Sequence, residues 1–321
     1  MEASRPRSGK PADVHEYVKA IDALRAQQGY FADMVLPNFL IIGTRKAGTS
    51  SLYHNLVQHP DVFMPTLKGS RFFLHDPDAP ADSSGAAVRT LEEYSRLFAG
   101  AESTGARAIG EASPSYFQSP DAARRIRECL PEARLIVSLR NPVDKVYSQY
   151  QMNLRRAGES GPLPPTYELL EPLMGACFYA KHLQVYLDLF PCGQLKVLVF
   201  EQWIRSQREC AADLFRFLGV RESAVRLDDS RYNVGGLPRN VFYRKLLAAR
   251  DRLISLKPLV PRPIRKVVNR SINSGMEKAP PLPSELRRRI ASAFRADVAK
   301  LEKLTGLDLA VWKLREPLES A

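Results

Sequence analysis

The sequence is poor in thiols, imidazoles and long apolar runs. Its four cysteines, Cys129, Cys177, Cys192 and Cys210, stand far apart with no Cys-x-x-Cys pair, which argues against a disulfide scaffold and a cysteine-based zinc site. The five histidines show no His-Glu-x-x-His pattern, so no hydrolytic metal centre and no metal requirement are expected. The most apolar early run, Asn38 to Gly43, is far shorter than the roughly 20 residues that cross a bilayer. The opening MEASRPRSGKPADVHEY lacks the apolar stretch of a signal peptide. These absences predict a soluble, cytoplasmic protein without a transmembrane segment. Acidic residues are also in deficit: 35 Asp and Glu face 47 Lys and Arg, a formal net charge of +12. Such a surplus favours polyanionic partners. Nucleic acid is disfavoured among them, because the charge is spread along the chain with no aromatic-rich basic motif.

What is present suits a folded enzyme-sized chain: 321 residues, 45% hydrophobic and 26% charged, with no internal repeat. Residues 1–12 read as a disordered lead, and 13–35 as an N-terminal helix carrying Val14, Tyr17, Val18, Ile21 and Leu24 at helical spacing. A single α/β domain is expected over 36–315. The apolar run Leu36 to Gly43 reads as a buried parallel strand, followed by a helix over Thr49–Gln58. Further strands are expected at Arg107–Glu111, Arg134–Leu139 and Gln194–Phe200, with a helix over Ala176–Phe190. After Leu139, Asn141 is placed to cap a helix that has Pro142 at its first position and runs towards Arg156. Strands alternating with helices imply a central parallel sheet of P-loop type, flanked by helices on both faces. A helical C-terminal region completes it, with Leu286, Ile290, Phe294, Val298, Leu301 and Leu304 on one stripe. The stretches 76–85 and 155–165 read as loops. The basic 257–273 segment reads as a surface helix, a lid, an acceptor surface or a membrane-touching segment.

The junction of the first strand and helix, Gly43-Thr44-Arg45-Lys46-Ala47-Gly48-Thr49-Ser50, has the form of an anion-binding loop. Main-chain amides in such a turn converge on a bound oxyanion, and the following helix N-terminus adds a favourable dipole. The ATP-binding pattern GxxxxGK[ST] is approached but not met, because Thr49 occupies the lysine position and the lysine stands inside the loop at Lys46.

The run FLIIGTRKAGTSSL, together with Arg134-Leu-Ile-Val-Ser-Leu-Arg140-Asn-Pro-Val-Asp-Lys-Val-Tyr-Ser148, resembles the sulfotransferases that use 3′-phosphoadenosine 5′-phosphosulfate (PAPS). The likeness is to the branch of heparan-sulfate and bacterial carbohydrate enzymes. It extends to Ile109–Tyr116, Gly175–Leu183, Val197–Glu201, Asn233–Asn240 and Leu307–Trp312. This resemblance implies a donor, PAPS, released as 3′-phosphoadenosine 5′-phosphate (PAP). It implies a 5′-phosphosulfate site over Thr44, Arg45, Lys46, Ala47, Gly48, Thr49, Ser50 and Ser51. Arg140 and Ser148 would hold the 3′-phosphate, Arg239 would lie in a cofactor-covering loop, and the acceptor would be a hydroxyl or amine of a carbohydrate or glycolipid. Lys46 is expected to meet the charge that grows on the departing phosphate. A P-loop kinase and a non-catalytic PAP- or PAPS-binding relative are the alternatives.

One departure affects the chemistry. The family's Lys-Glu-x-His-Phe-Phe run, whose Glu is the base on the acceptor hydroxyl, is here Lys68-Gly-Ser-Arg-Phe-Phe73, with Gly69 and Arg71 in the Glu and His positions. Glu111 is the first replacement by position, at the end of a strand; a structural ion pair is its other reading. His75, Asp76 and His54 are further candidates, His54 reading more readily as a packed or capping residue, and an acidic acceptor needs no strong base. Lys68 and Arg71 make the acceptor side positive, which fits an anionic saccharide or a simply solvated face.

Overall fold

The computed structural model describes residues 34–75, 88–157, 164–222, 237–238, 243, 276–277 and 279–314. The segments 13–33, 76–87 and 257–273, with Arg239 and Asp76, lie outside the described residues.

The described residues gather in two compact units interleaved along the chain. One takes the chain up to Arg45, with Leu52–Leu139 and His182–Asp228; the other takes Lys46–Ser51, Arg140–Lys181 and the chain from Asp229 on. The first unit holds a five-stranded sheet. Its strands are β1 (Phe39–Gly43), β2 (Val62–Phe63), β3 (Ala108–Ala112), β4 (Arg134–Leu139) and β5 (Leu195–Val199), in the order β2-β3-β1-β4-β5. Every neighbouring pair is parallel, so the chain crosses over between strands, largely through helices. The helices include α1 (Thr49–Leu56), α2 (Pro120–Cys129), α3 (Pro142–Ala157), α4 (Tyr179–Leu189), α5 (Gln207–Leu218) and α6 (Ser284–Thr305), with a further helix at Tyr167–Met174 and shorter helical segments between them.

β1 is fully buried at the centre of the sheet, which is why its five residues are apolar or glycine without alternation. Phe39 and Ile41 face a core with Leu52 and Leu56 of α1, Ile136 of β4, and Leu214, Phe215 and Leu218 of α5. Gly110 pairs with Phe39 in the sheet, and a methyl at Gly110 would overlap the Phe39 ring. Glycine is required there by close approach.

The Asn141 cap forms as expected: its Oδ1 accepts from the Val143 amide at 3.0 Å, and α3 follows from Pro142. The C-terminal stripe is also present, with Ile290, Phe294, Val298 and Leu301 buried on α6, which stops at Gly306. Two boundaries differ from expectation. α1 ends at Leu56, two residues early, and Gln58 closes a tighter turn onto the Asn55 carbonyl at 3.2 Å. The helix expected from Ala176 begins instead with a 3₁₀ turn at Gly175–Cys177 and becomes α-helical at Tyr179. The C-terminal region is helical as expected, α6 being followed by a short 3₁₀ turn at Ala310–Trp312. β2, at two residues, is too short for any periodicity to announce it.

Candidate functional site

Two groups of residues carry the chemistry. The first centres on the loop after β1. Thr44 is fully buried, and its amide and hydroxyl both donate to the Ser138 carbonyl of β4, at 2.9 and 3.0 Å. Thr44 therefore fixes where the loop leaves the sheet. Beyond it, Lys46 (φ 70°) and Gly48 (φ 77°) adopt left-handed backbone with buried Ala47 between them, and α1 starts at Thr49. Alternating backbone of this kind turns successive amides to one side and makes a concave anion seat. The segment 44–51 contains no acidic side chain, and Arg45, Lys46, Thr49, Ser50 and Ser51 add cationic or hydroxyl donors. The donor set suits a phosphate or sulfate ester.

Arg140 belongs to the same unit as Lys46, and its Nη1 donates to the Lys46 carbonyl at 3.1 Å. The guanidinium thus braces the loop at its left-handed residue. Arg140 is itself held from behind: its carbonyl accepts from the Tyr179 hydroxyl at 2.8 Å. Next to it, Asn141 Nδ2 donates to the Trp312 carbonyl at 2.8 Å, and the Trp312 ring lies 6.0 Å from that of Tyr179. Ser148 is half-buried in the second turn of α3. One turn before it, Lys145 is almost fully buried; its Nζ donates to the Ala176 carbonyl at 2.7 Å and lies 3.2 Å from Cys177 Sγ. This ammonium ties α3 to the 175–177 turn.

The second group lies in the sheet-bearing unit, around the Lys68–Phe73 run. Gly69 has φ +83°, a left-handed backbone that favours glycine, and an added Cβ would meet nothing within 4 Å. Arg71 is also left-handed, at φ 56° and ψ 22°. Phe72 and Phe73 are buried against the rings of Tyr94 and Tyr116. That packing leaves Lys68 and Arg71 half-buried at the surface of the turn. Burial draws the Lys68 ammonium down to about 8, and its Nζ stands 5.8 Å from the centre of the Tyr53 ring.

Glu111 does not line an open face. It is fully buried, and four hydroxyls donate to it: Ser70 at 2.6 Å, Tyr94 at 2.7 Å, Tyr116 at 3.1 Å, and Ser113. Burial pushes its carboxyl above the ordinary range, while the four hydroxyl bonds pull the other way. His75 follows the 3₁₀ turn Phe72–Leu74, half-buried, and its carbonyl accepts from Arg125 Nη1 at 2.7 Å. His54 lies in α1, its ring edge-on to Tyr53 at 5.3 Å, as a packed residue would.

Ser70, Tyr94, Ser113, Tyr116, Lys145 and Tyr179 were not singled out from the sequence. Five of them stand inside runs quoted for other residues: Ser70 in Lys68–Phe73, Ser113 and Tyr116 in Ile109–Tyr116, Lys145 in Arg134–Ser148, and Tyr179 in Gly175–Leu183. Nothing local marks Tyr94. Among the described residues, no three His, Cys, Asp or Glu side chains are gathered as a metal site, and no helix is long and apolar enough to cross a membrane.

A family model described as "Sulfotransferase family" matches residues 37–223. Human bifunctional heparan sulfate N-deacetylase/N-sulfotransferase 2 is 27% identical over 220 residues, covering 61% of this chain and 24% of that protein. Mouse bifunctional heparan sulfate N-deacetylase/N-sulfotransferase 4 is 26% identical over 306 residues, covering 88% of this chain and 32% of that protein. The chain thus spans 24% and 32% of the length of these two curated relatives. Among solved structures, a sulfotransferase from Alicyclobacillus acidocaldarius superposes with a TM-score of 0.62 at 29% identity, covering 87% of this chain and 99% of that one.

Proposed function

The chain belongs to the sulfotransferase family, and on that footing we propose that it moves the sulfuryl group of PAPS to a hydroxyl or amine of a saccharide acceptor. The observation that carries this reading is a cationic anion loop with a second cation, Arg140, hydrogen-bonded to its Lys46 carbonyl. When bound, PAPS supplies the activated sulfuryl group and PAP is left behind. Arg45, Lys46 and the amides and hydroxyls through Ser51 hold the 5′-phosphosulfate end, and Arg140 with Ser148 holds the 3′-phosphate. Lys46 brings positive charge to the place where negative charge accumulates during transfer, which favours the transition state over the ground state. Lys68 and Arg71 give the acceptor side a cationic surface suited to an acidic glycan, the acceptor class named in the heparan sulfate relatives. The proton of the acceptor falls to His75 rather than Glu111, because His75 keeps exposed surface and Glu111 has none.

The direct test is transfer of radiolabelled sulfate from PAPS to desulfated, N-deacetylated heparan sulfate, beside a simple phenol. Label in the polysaccharide is expected. Neither labelled product nor release of PAP would sink the reading and favour a non-catalytic binding relative, to which the missing carboxylate at Gly69 also points. A melting experiment separates the donors: a ligand at a hundred times its Kd stabilises the folded state by about 2.7 kcal/mol. PAP is expected to raise the melting temperature far more than ATP; the reverse order would favour a P-loop kinase.

A further inference from the structure

Glu111 is a fully buried carboxylate to which the donor loop assigns no role. We infer that Glu111 is a positioning residue, which through a layer of three hydroxyls fixes the Gly69–Phe73 turn and so sets where Lys68 and Arg71 meet the acceptor. The inference rests on the acceptor-side reading just given.

The geometry is a two-layer relay. In the first layer, Ser70, Ser113 and Tyr116 each donate their one hydroxyl proton to Glu111 Oε1. Tyr94 donates to Oε2 at 2.7 Å. A hydroxyl that has given its proton still has lone pairs to accept with. In the second layer those lone pairs take three consecutive main-chain amides. Ser113 Oγ accepts from the Arg71 amide at 3.1 Å, Ser70 Oγ from Phe72 at 3.3 Å, and the Tyr116 hydroxyl from Phe73 at 3.4 Å. A hydroxyl that donates to the carboxyl is polarised by that bond and accepts the more strongly in its second task.

The turn needs that support. Left-handed backbone at a residue other than glycine persists only where the surroundings over-determine it, and Arg71 is such a residue. Its amide is one of the three that the relay holds. Below the turn, the side chains of Phe72 and Phe73 pack on Tyr94 and Tyr116, the rings that carry two of the four hydroxyls. Packing and polar relay therefore act on the same short segment. Neither fixes Lys68 or Arg71 directly; both fix the backbone from which these side chains leave.

A carboxylate that merely stabilised the core would lower stability throughout the sheet and leave the folded enzyme's kinetics alone. The deciding experiment is hydrogen exchange on the full chain, comparing the wild type with Glu111→Gln and Ser113→Ala. Ser113→Ala removes one strut and leaves Glu111 three donors, so it reports on the turn even if Glu111→Gln fails to fold. The expected result is a loss of protection of about tenfold or more at the amides of Arg71, Phe72 and Phe73, with β1 and β4 unchanged. Unchanged turn amides, or an equal loss across the sheet, would overturn the inference. Kinetics supply the second readout: with desulfated, N-deacetylated heparan sulfate, Ser113→Ala should raise the acceptor KM about tenfold, leaving kcat and the PAP dissociation constant within about twofold. A change carried by PAP affinity alone would also overturn it. A wild-type protein that transfers nothing to the polysaccharide counts against the saccharide reading instead, while the exchange result still decides the turn.

Discussion

Replacing Arg140 by alanine separates two roles that one side chain is positioned to play. The guanidinium braces the anion loop through the Lys46 carbonyl at 3.1 Å, and in the proposed reading it also meets the 3′-phosphate. A half-exposed hydrogen bond from a charged donor to a carbonyl is worth about 1 kcal/mol, because water takes its place when it is lost. Loss of the brace alone should therefore weaken any ligand of the loop by about fivefold. A charge-assisted contact to phosphate contributes about 2–3 kcal/mol more. For a ligand with a 3′-phosphate the two add to about 3–4 kcal/mol, or two to three orders of magnitude in Kd. Calorimetric titration of wild type and Arg140→Ala with PAP and AMP, at one ionic strength, measures both. Arg140→Lys should fall between, since an ammonium keeps the charge but not the planar fork. Equal losses for PAP and AMP would refute the 3′-phosphate role, and an unchanged AMP affinity would refute the brace.

Four further outcomes are expected. Lys46→Met should lower kcat by about 10²–10³-fold with less than tenfold loss of PAP affinity, and full turnover would remove Lys46 from the chemistry. His75→Gln should cost about 10²-fold in kcat with a saccharide hydroxyl, and an unchanged rate would return the acceptor's proton to another group. Gly110→Ala should lower stability by about 1–3 kcal/mol or more in denaturant melts, because its methyl overlaps the Phe39 ring; a change below about 0.5 kcal/mol would mean the sheet yields there. Lys68 gives a pH dependence of known sign. Its folded-state pKa is drawn down to about 8 from 10.5, so its charge fades as pH rises through about 8. Between those values the unfolded chain binds the extra proton, so this group's contribution to stability rises with pH, while affinity for an anionic acceptor falls. Acceptor KM measured from about pH 7 to 9.5 should climb in the wild type and stay flat in Lys68→Arg; parallel profiles would show that Lys68 does not meet the acceptor.

The parts of the fold written in local patterns were legible. β1 and β4 are short apolar runs, one ending in glycine, the other followed by an Asn-Pro helix start, and each signal has a local physical cause. The loop that follows β1 is equally local, since left-handed positions and small residues occur within a few places of one another. α5 carries Ala211, Leu214, Phe215 and Leu218 on one buried face at helical spacing, a local pattern of the same kind as the C-terminal stripe. The surroundings of Glu111 were not legible, for a different reason. Its four donors come from the turn at Ser70, from Tyr94, and from Ser113 and Tyr116 beyond β3, and only the packed fold brings them together. The sequence placed Glu111 at a strand end; it did not show that the side chain is enclosed. Lys145 is a second case: the Arg134–Ser148 run points to Arg140 and Ser148, and only the fold shows that Lys145 is almost fully buried on main-chain and thiol partners.

The turn that follows β4 is finished by a carbonyl 171 residues further along, where Trp312 receives Asn141. Order of synthesis then matters. A growing polypeptide can lay down the whole parallel sheet and still have an incomplete turn at Arg140–Asn141 until Trp312 leaves the ribosome. Proteolytic clipping before Trp312 would have the same effect, giving a protein with an intact sheet and a loosened Arg140–Asn141 turn.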